Sequence, residues 1–192
     1  IVDNLSNSKP EAVRRVNALA GRSAAFHKVD LLDRAALDQV FGAFRPEAVI
    51  HFAAFKAVGE SVQQPLRYYQ NNITGTLVLC ETMIRQQVKT MVFSSSATVY
   101  GDPAKVPVTE EFPLSATNPY GHSKLMMEQV FRDLYRADPA WNIALLRYFN
   151  PVGAHESGRI GEDPNGIPNN LFPYITQVAV GKLAEVSIYG ND

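Results

Sequence analysis

Thr90-Met91-Val92-Phe93-Ser94-Ser95-Ser96 is the stretch from which the rest of the chain is best read. Thr90–Ser94 has the length and apolar content of a buried strand, and a run of hydroxyls closes it. Downstream, Asp102–Pro119 carries prolines at 103, 107, 113 and 119, which predicts a long ordered loop. A helix is predicted over Tyr120–Ala137, with Met127, Val130, Phe131 and Leu134 on one stripe, and a strand over Ile143–Tyr148. Upstream lie a predicted helix at Leu66–Gln86, a strand at Ala48–Phe52, and a helix from Asp33 with Leu37, Val40, Phe41 and Phe44 at i, i+3, i+4 and i+7. Before these, Ala24–Val29 reads as a strand. A first helix carries Ala12, Val16, Leu19 and Ala20; a capping box, Ser8-Lys9-Pro10-Glu11, opens it and Gly21 ends it. Strand and helix alternate throughout. The expected class is α/β, built from βαβ units into a parallel sheet covered on both faces.

Composition agrees with a folded domain. The 192 residues are 46% hydrophobic and 19% charged, with a net charge of −1. That balance argues against a dedicated nucleic-acid or anionic-membrane surface, which needs a basic excess. No apolar run approaches the roughly 20 residues of a membrane span. The lone Cys80 excludes an internal disulfide and sits in a helical apolar setting, so an inert core thiol is expected. His27, His51, His122 and His155 are scattered, without metal-ligand spacing. A soluble, cytoplasmic protein is expected. Phe149–Asn170, dense in Gly, Pro and Asn, reads as a loop leaving the sheet. The chain opens at Ile1 without Met and stops at Asp192 after a strand-like run, so a piece of a longer protein is expected.

Parallel strands joined by right-handed crossovers present their carboxyl ends along one edge, where ligands bind. The residues at that edge are Asp3-Asn4, Asp30-Leu31, Ala53-Ala54-Phe55-Lys56, Ser95-Ser96-Ala97-Thr98 and Phe149-Asn150. Each tract mixes small residues with a polar group. An acid such as Asp3 can accept hydrogen bonds from adenosine ribose hydroxyls, which favours NAD, or it can cap the strand-to-helix turn. The glycine-rich phosphate loop that precedes such an acid by about 20 residues does not occur in 1–192.

Tyr120 and Lys124 stand at i and i+4, on one helix face. An ammonium there can stabilise a phenolate, drawing the tyrosine toward neutrality and making it a general base. Ser96, 24 residues earlier at a strand end, can share a proton with Tyr120 or polarise a substrate oxygen, or the three serines can form an ordinary turn. Lys56 can reach a cofactor phosphate or lie at a solvated helix start. Asn71-Asn72 can fix the nearby loop or bond neighbouring backbone.

Taken together, Asp3-Asn4-Leu5-Ser6-Asn7-Ser8, His51-Phe52-Ala53-Ala54-Phe55-Lys56-Ala57-Val58-Gly59-Glu60-Ser61, Phe93-Ser94-Ser95-Ser96-Ala97-Thr98-Val99-Tyr100-Gly101, Tyr120-Gly121-His122-Ser123-Lys124 and Leu146-Arg147-Tyr148-Phe149-Asn150-Pro151-Val152-Gly153-Ala154 resemble the UDP-glucose 4-epimerase family, within the extended short-chain dehydrogenases/reductases. The resemblance implies a Rossmann-like doubly wound parallel sheet truncated at its first strand, tightly held NAD and a homodimer. Residues 1–150 would be the NAD-binding domain, and 151–192 the beginning of a smaller sugar-nucleotide region. It further implies that Asp3, Asn4, Leu5, Ser6, Asn7 and Ser8 line the adenosine ribose, with Asp30 and Leu31 near adenine. Phe52, Ala53, Ala54, Phe55, Lys56 and Asn71 would line the rest of the dinucleotide, and Phe149 would pack beside nicotinamide. Ser96, Tyr120 and Lys124 would be catalytic and also touch the cofactor. Asn150, Asn170, Leu171 and a strand Ser187-Ile188-Tyr189 would meet the UDP-sugar, with Ser96 and Tyr120.

The activity so implied interconverts UDP-glucose and UDP-galactose. Tyr120 removes the 4-hydroxyl proton while C4 gives hydride to NAD, and the 4-keto sugar then receives hydride on its other face. Sister 4,6-dehydratases carry an acid soon after the serine tract, whereas Ala97 and Thr98 stand here. UDP-GlcNAc 4-epimerase and UDP-sugar decarboxylase are further activities of the scaffold. In this family the missing first strand lies between the second and fourth. A sheet without it would leave a central row of backbone groups unpaired, and 1–192 alone is expected to be inactive.

Overall fold

The computed structural model describes residues 1–162, 170–188 and 190. The elements are β1 (Val2–Asp3), α1 (Pro10–Ala20), β2 (His27–Lys28), α2 (Arg34–Phe44), β3 (Val49–His51), α3 (Val58–Gln63) and α4 (Pro65–Tyr69). A π-turn at Gln70–Thr74 leads into α5 (Gly75–Arg85), β4 (Thr90–Ser96) and a 3₁₀ turn at Ala97–Tyr100; α6 (Pro119–Ala137), β5 (Asn142–Tyr148) and α7 (Leu171–Ala179) follow. The chain forms two compact units. One comprises Val2–Asn4 and His27–Phe149, the other Ile1, Leu5–Phe26 and Asn150–Asp192.

Every strand pair among the described residues is parallel, as the alternation predicts. β1 pairs with β2, and β4 runs between β3 and β5. The two sheets share no ladder among the described residues. Ala24–Val29 shrinks to His27–Lys28 because only these residues find a partner in the two-residue β1.

Register sorts the three-stranded sheet into two faces. Val49, Met91 and Ile143 share one face with His51, Phe93 and Leu145 and with the pair Ser95 and Arg147; Ile50, Val92 and Ala144 share the other with Leu146 and Tyr148. The first face carries the core. Met91 and Phe93 pack with Phe41 of α2, Leu79, Cys80 and Met83 of α5, and Met127 and Phe131 of α6. The Phe93 and Phe131 ring centres lie 4.8 Å apart. Cys80 is buried, as its setting predicts, and burial pushes its thiol up to about 12. On the second face of the described sheet Ile50 is 66% exposed, and Leu146 and Tyr148 are also exposed.

Local signals hold at several helix ends. Asp33 caps α2 by accepting from Ala36 N at 3.0 Å, and Asn118 caps α6 by accepting from Gly121 N at 2.9 Å, with Pro119 in its first turn. Gly21 ends α1 at φ 65°. The start of α1 lies one residue on from the predicted capping box: Lys9 is its N-cap, and the Lys9 side chain makes no cap hydrogen bond. Phe44, placed on the inner stripe of α2, is exposed at the last turn. The long helix Leu66–Gln86 is three pieces, because a π-turn over Gln70–Thr74 offsets α4 from α5. The proline-rich loop folds back on the 3₁₀ turn, where Ser115 N donates to Val99 O at 2.9 Å. Gly101 permits that approach: its φ is 60°, and a Cβ there would lie 1.9 Å from the Ser115 carbonyl oxygen.

Candidate functional site

The end of β4 and the first turn of α6 bring Ser96, Tyr120 and Lys124 together. Gly121 lets α6 approach the turn after β4, since a Cβ there would sit 3.0 Å from the Thr98 carbonyl oxygen. The Ser96 hydroxyl accepts from Thr98 N at 3.2 Å and from Thr98 Oγ1 at 2.9 Å, fixing the serine at the start of the 3₁₀ turn. Lys124 is buried. Its ammonium donates to the Ser94 carbonyl at 2.6 Å, and Nζ lies 4.8 Å from the Phe93 ring centre and 5.9 Å from that of Tyr120. Burial pushes this ammonium down to about 8.

The phenol differs from expectation. Burial raises the Tyr120 pKa above its ordinary value, and a hydrogen bond with the Ser96 hydroxyl only partly opposes this. The Lys124 ammonium donates to the Ser94 carbonyl, with Nζ 5.9 Å from the Tyr120 ring centre. The i, i+4 spacing placed the two residues on one face but said nothing of that backbone acceptor.

The loop after β3 is held by two side chains. Asn72, buried in the π-turn, accepts from Phe55 N at 2.9 Å and donates to Phe55 O at 2.9 Å and to Ser123 Oγ at 3.1 Å. Ser123 Oγ in turn donates to the Tyr120 carbonyl at 2.7 Å. Tyr68 adds a second tie, its hydroxyl accepting from Ala57 N at 3.1 Å. Of the two asparagines, Asn72 therefore fixes the loop, while Asn71 donates to the Asn72 side chain at 2.9 Å. Phe52, Ala53 and Lys56 are exposed at this strand end, Ala54 and Phe55 less so.

At the other sheet, Asn4 Nδ2 donates to Asp30 Oδ2 at 2.8 Å, and Asp30 Oδ1 accepts from Leu32 N at 2.8 Å. The acid after β2 is thus fixed on both oxygens, next to Leu31, and Val29 N donates to the Asp3 carbonyl at 3.2 Å. Phe149 is exposed just beyond β5.

The remaining expected residues belong to the second unit. Leu5 has a left-handed backbone at φ 60°, followed by Ser6, Asn7 and Ser8. Asn150 lies outside any helix or strand. Asn170 is the N-cap of α7, which begins at Leu171 as expected, and its amide donates to Glu162 at 2.8 Å. Ser187 and Ile188 are not in a strand, which corrects the reading of 187–189; Ile188 is exposed, and Tyr189 lies outside the described residues. No partner strand pairs with them among the described residues, and apolar alternation alone cannot supply one.

His51 was not singled out as a site residue by sequence reasoning. It is buried on the core face of β3, with Nε2 2.9 Å from Thr76 Oγ1. Because Thr76 spends its single hydroxyl proton on the Asn72 carbonyl at 2.6 Å, Nε2 must be the protonated nitrogen of a neutral ring. Burial, aided by the Lys124 charge, pushes His51 from 6.5 down to about 3. The unfolded chain then binds the extra proton first. The stability this gives is complete above pH 6.5 and is lost as pH falls from there toward 3, at up to about 1.4 kcal/mol per pH unit. In the full-length protein, His51→Gln is expected to flatten the pH dependence of the urea midpoint between pH 6.5 and 4. Superimposable profiles for the two proteins would contradict it.

No group of acidic, histidine or cysteine side chains among the described residues has metal-site geometry, and no described helix is long and apolar enough to cross a membrane. Residues 1–192 match the family model described as the NAD dependent epimerase/dehydratase family. The chain belongs to that family. Among curated relatives of this epimerase/dehydratase chain, the UDP-glucose 4-epimerase of Bacillus subtilis (strain 168) is 64% identical over 192 residues, all of this chain and 57% of that protein. The Bifidobacterium longum UDP-glucose 4-epimerase, solved in complex with NAD+ and UDP, superposes with a TM-score of 0.95 at 55% identity, over 98% of this chain and 57% of that one. The Stenotrophomonas maltophila enzyme, with bound NAD and formylated UDP-arabinopyranose, gives 0.95 at 46% identity over 99% and 56%. This chain thus spans little more than half the length of the relatives it matches.

Proposed function

We propose that the full-length protein is an NAD-dependent epimerase acting at C4 of UDP-glucose and UDP-galactose. The observation that carries this is the gathering of Ser96, Tyr120 and Lys124 where β4 meets α6, in a chain similar along its whole length to UDP-glucose 4-epimerases. The donor set suits NAD: an acid at the end of β1 and another just after β2, a clamped loop after β3, and an exposed aromatic after β5. Asp3 to Ser8, Asp30 and Leu31 would hold its adenosine half. Phe52 to Lys56, Asn71, Ser96, Tyr120, Lys124 and Phe149 would hold the remainder. Bound there, NAD supplies the acceptor and later the donor of a hydride.

The chain's own residues handle the proton. Tyr120 takes it from the sugar 4-hydroxyl and returns it to the 4-keto intermediate from the same position, so one base serves both directions. The Ser96 hydroxyl bonds the phenol and polarises the sugar oxygen, and Lys124 supplies positive charge beside both. Asn150, Asn170, Leu171 and 187–189 would bind the UDP-sugar. Residues 1–150 form the cofactor half in this reading, and 151–192 begin the sugar half. A cytoplasmic homodimer is part of the same reading, the dimer being supported by exposed Leu77 and Ile84 of α5 and Met126 and Tyr135 of α6.

The test is direct. Purified full-length protein should interconvert the two UDP-hexoses and release about one NAD per chain on denaturation, the expectation for a cofactor that is reduced and reoxidised within one turnover. Absence of both turnover and cofactor would overturn the reading.

A further inference from the structure

We propose that the buried Glu128–Arg147 pair positions the Ser96 hydroxyl by fastening the residues on either side of it; this rests on the reading of Ser96 and Tyr120 given above. Glu128 lies on the inner stripe of α6, one turn after Lys124 and beside Met127, and is 0% exposed. A carboxylate so placed must find partners. Oε1 accepts from Ser95 Oγ at 2.6 Å and Arg147 Nε at 2.9 Å. Oε2 accepts from Arg147 Nη2 at 2.6 Å and, more weakly, from Arg132 Nη2 at 3.3 Å. This is the two-pronged guanidinium–carboxylate geometry, which fixes orientation as well as distance.

Arg147 stands opposite Ser95 in the β4–β5 ladder. Its third nitrogen, Nη1, donates to the Tyr100 hydroxyl at 2.8 Å, and its guanidinium carbon lies 4.9 Å from the Tyr100 ring centre. Tyr100 is buried and closes the 3₁₀ turn that Ser96 opens. The pair therefore grips the residue before Ser96 and the residue that ends the turn after it. Between these grips the turn is closed by Ser96 Oγ accepting from Thr98 N and by Gly101 N donating to Thr98 O at 3.3 Å. Glu128 also rides on the helix that carries Tyr120, so the same carboxylate ties the serine's turn to the phenol's helix. Ser95 and Ser96 point to opposite faces of the sheet. Glu128 and Arg147 accordingly act through Ser96 rather than on substrate.

Removing Glu128 or Arg147 would strand a buried charge, so the test uses the ties. Ser95→Ala and Tyr100→Phe each delete one hydroxyl and leave the ion pair whole. In the full-length protein the double variant is expected to lower kcat about tenfold with KM changed less than about twofold. In a Ser96→Ala background the same two substitutions should change kcat less than about twofold, since interacting sites are non-additive. An undiminished kcat with Ser96 present, or an equal tenfold loss without it, would overturn the bracket and leave the pair a purely structural tie. Tyr120→Phe serves as the control. Retained activity in that variant overturns the site reading and the bracket with it, whereas an inactive Tyr120→Phe with multiplicative losses at Ser96 overturns the bracket alone.

Discussion

Replacing Tyr120 by Phe in the full-length protein is expected to lower kcat for UDP-hexose interconversion by about 10²–10⁴-fold, the range a positioned general acid–base supplies, with a much smaller change in KM. The change removes one oxygen from a half-buried ring whose side-chain partner is the Ser96 hydroxyl. The helix start around it is held by other groups: the Asn118 cap, the Ser123–Tyr120 backbone bond and the Asn72–Ser123 bond. Folding should therefore survive, and a loss of rate can be assigned to chemistry. Lys124 is engaged elsewhere, its Nζ donating to the Ser94 carbonyl at 2.6 Å. Steady-state assays on both UDP-hexoses, with thermal melts to confirm the fold, would decide it. Undiminished interconversion would remove Tyr120 from the reaction and leave Ser96 and Lys124 as binding groups only.

How far such a site can be read from sequence depends on how local its determinants are. β4 and α6 were legible because pattern and environment agree: Met91 and Phe93 alternate into the core, and Met127 and Phe131 lie on one helical stripe. Tyr120, Lys124 and Ser96 followed from those two elements. The π-turn was hidden, since one extra residue per turn leaves the apolar pattern on each side of it intact. That turn nonetheless decides that Asn72 rather than Asn71 is buried against the Phe55 loop. Glu128 was missed for a different reason. A glutamate on an apolar stripe looks like any solvated helix charge until its partners are known, and these are 33 and 19 residues away in Ser95 and Arg147. A charge recurring at i+4 from Lys124, flanked by Met127, was the available signal.

The same buried carboxylate carries the largest expected stability effect. Glu128→Ala in the full-length protein is expected to cost about 3–5 kcal/mol in urea unfolding, the range for removing one partner of a buried ion pair. The side chain of Arg147 is only 12% exposed. Without Glu128 its guanidinium would keep the Tyr100 hydroxyl and lose the two hydrogen bonds that compensate its burial. Ser95 would lose its acceptor as well. Replacing both charges, Glu128→Leu with Arg147→Met, is expected to recover much of the loss, because two apolar groups leave no buried charge behind. Acid should act like the mutation. Burial alone would raise the Glu128 carboxyl, but the bonds from Arg147 and Ser95 outweigh it and hold the group below its usual range. Its contribution is therefore present above the ordinary carboxylate pKa and disappears as pH falls through the depressed one, when protonation removes the charge Arg147 needs. The wild-type protein should lose stability steeply at that acid limb, and the doubly apolar variant should show a shallower one. A Glu128→Ala protein within about 0.5 kcal/mol of wild type, the spread of ordinary surface substitutions, would mean that Arg147 finds water or another acceptor and that the pair does not hold the turn.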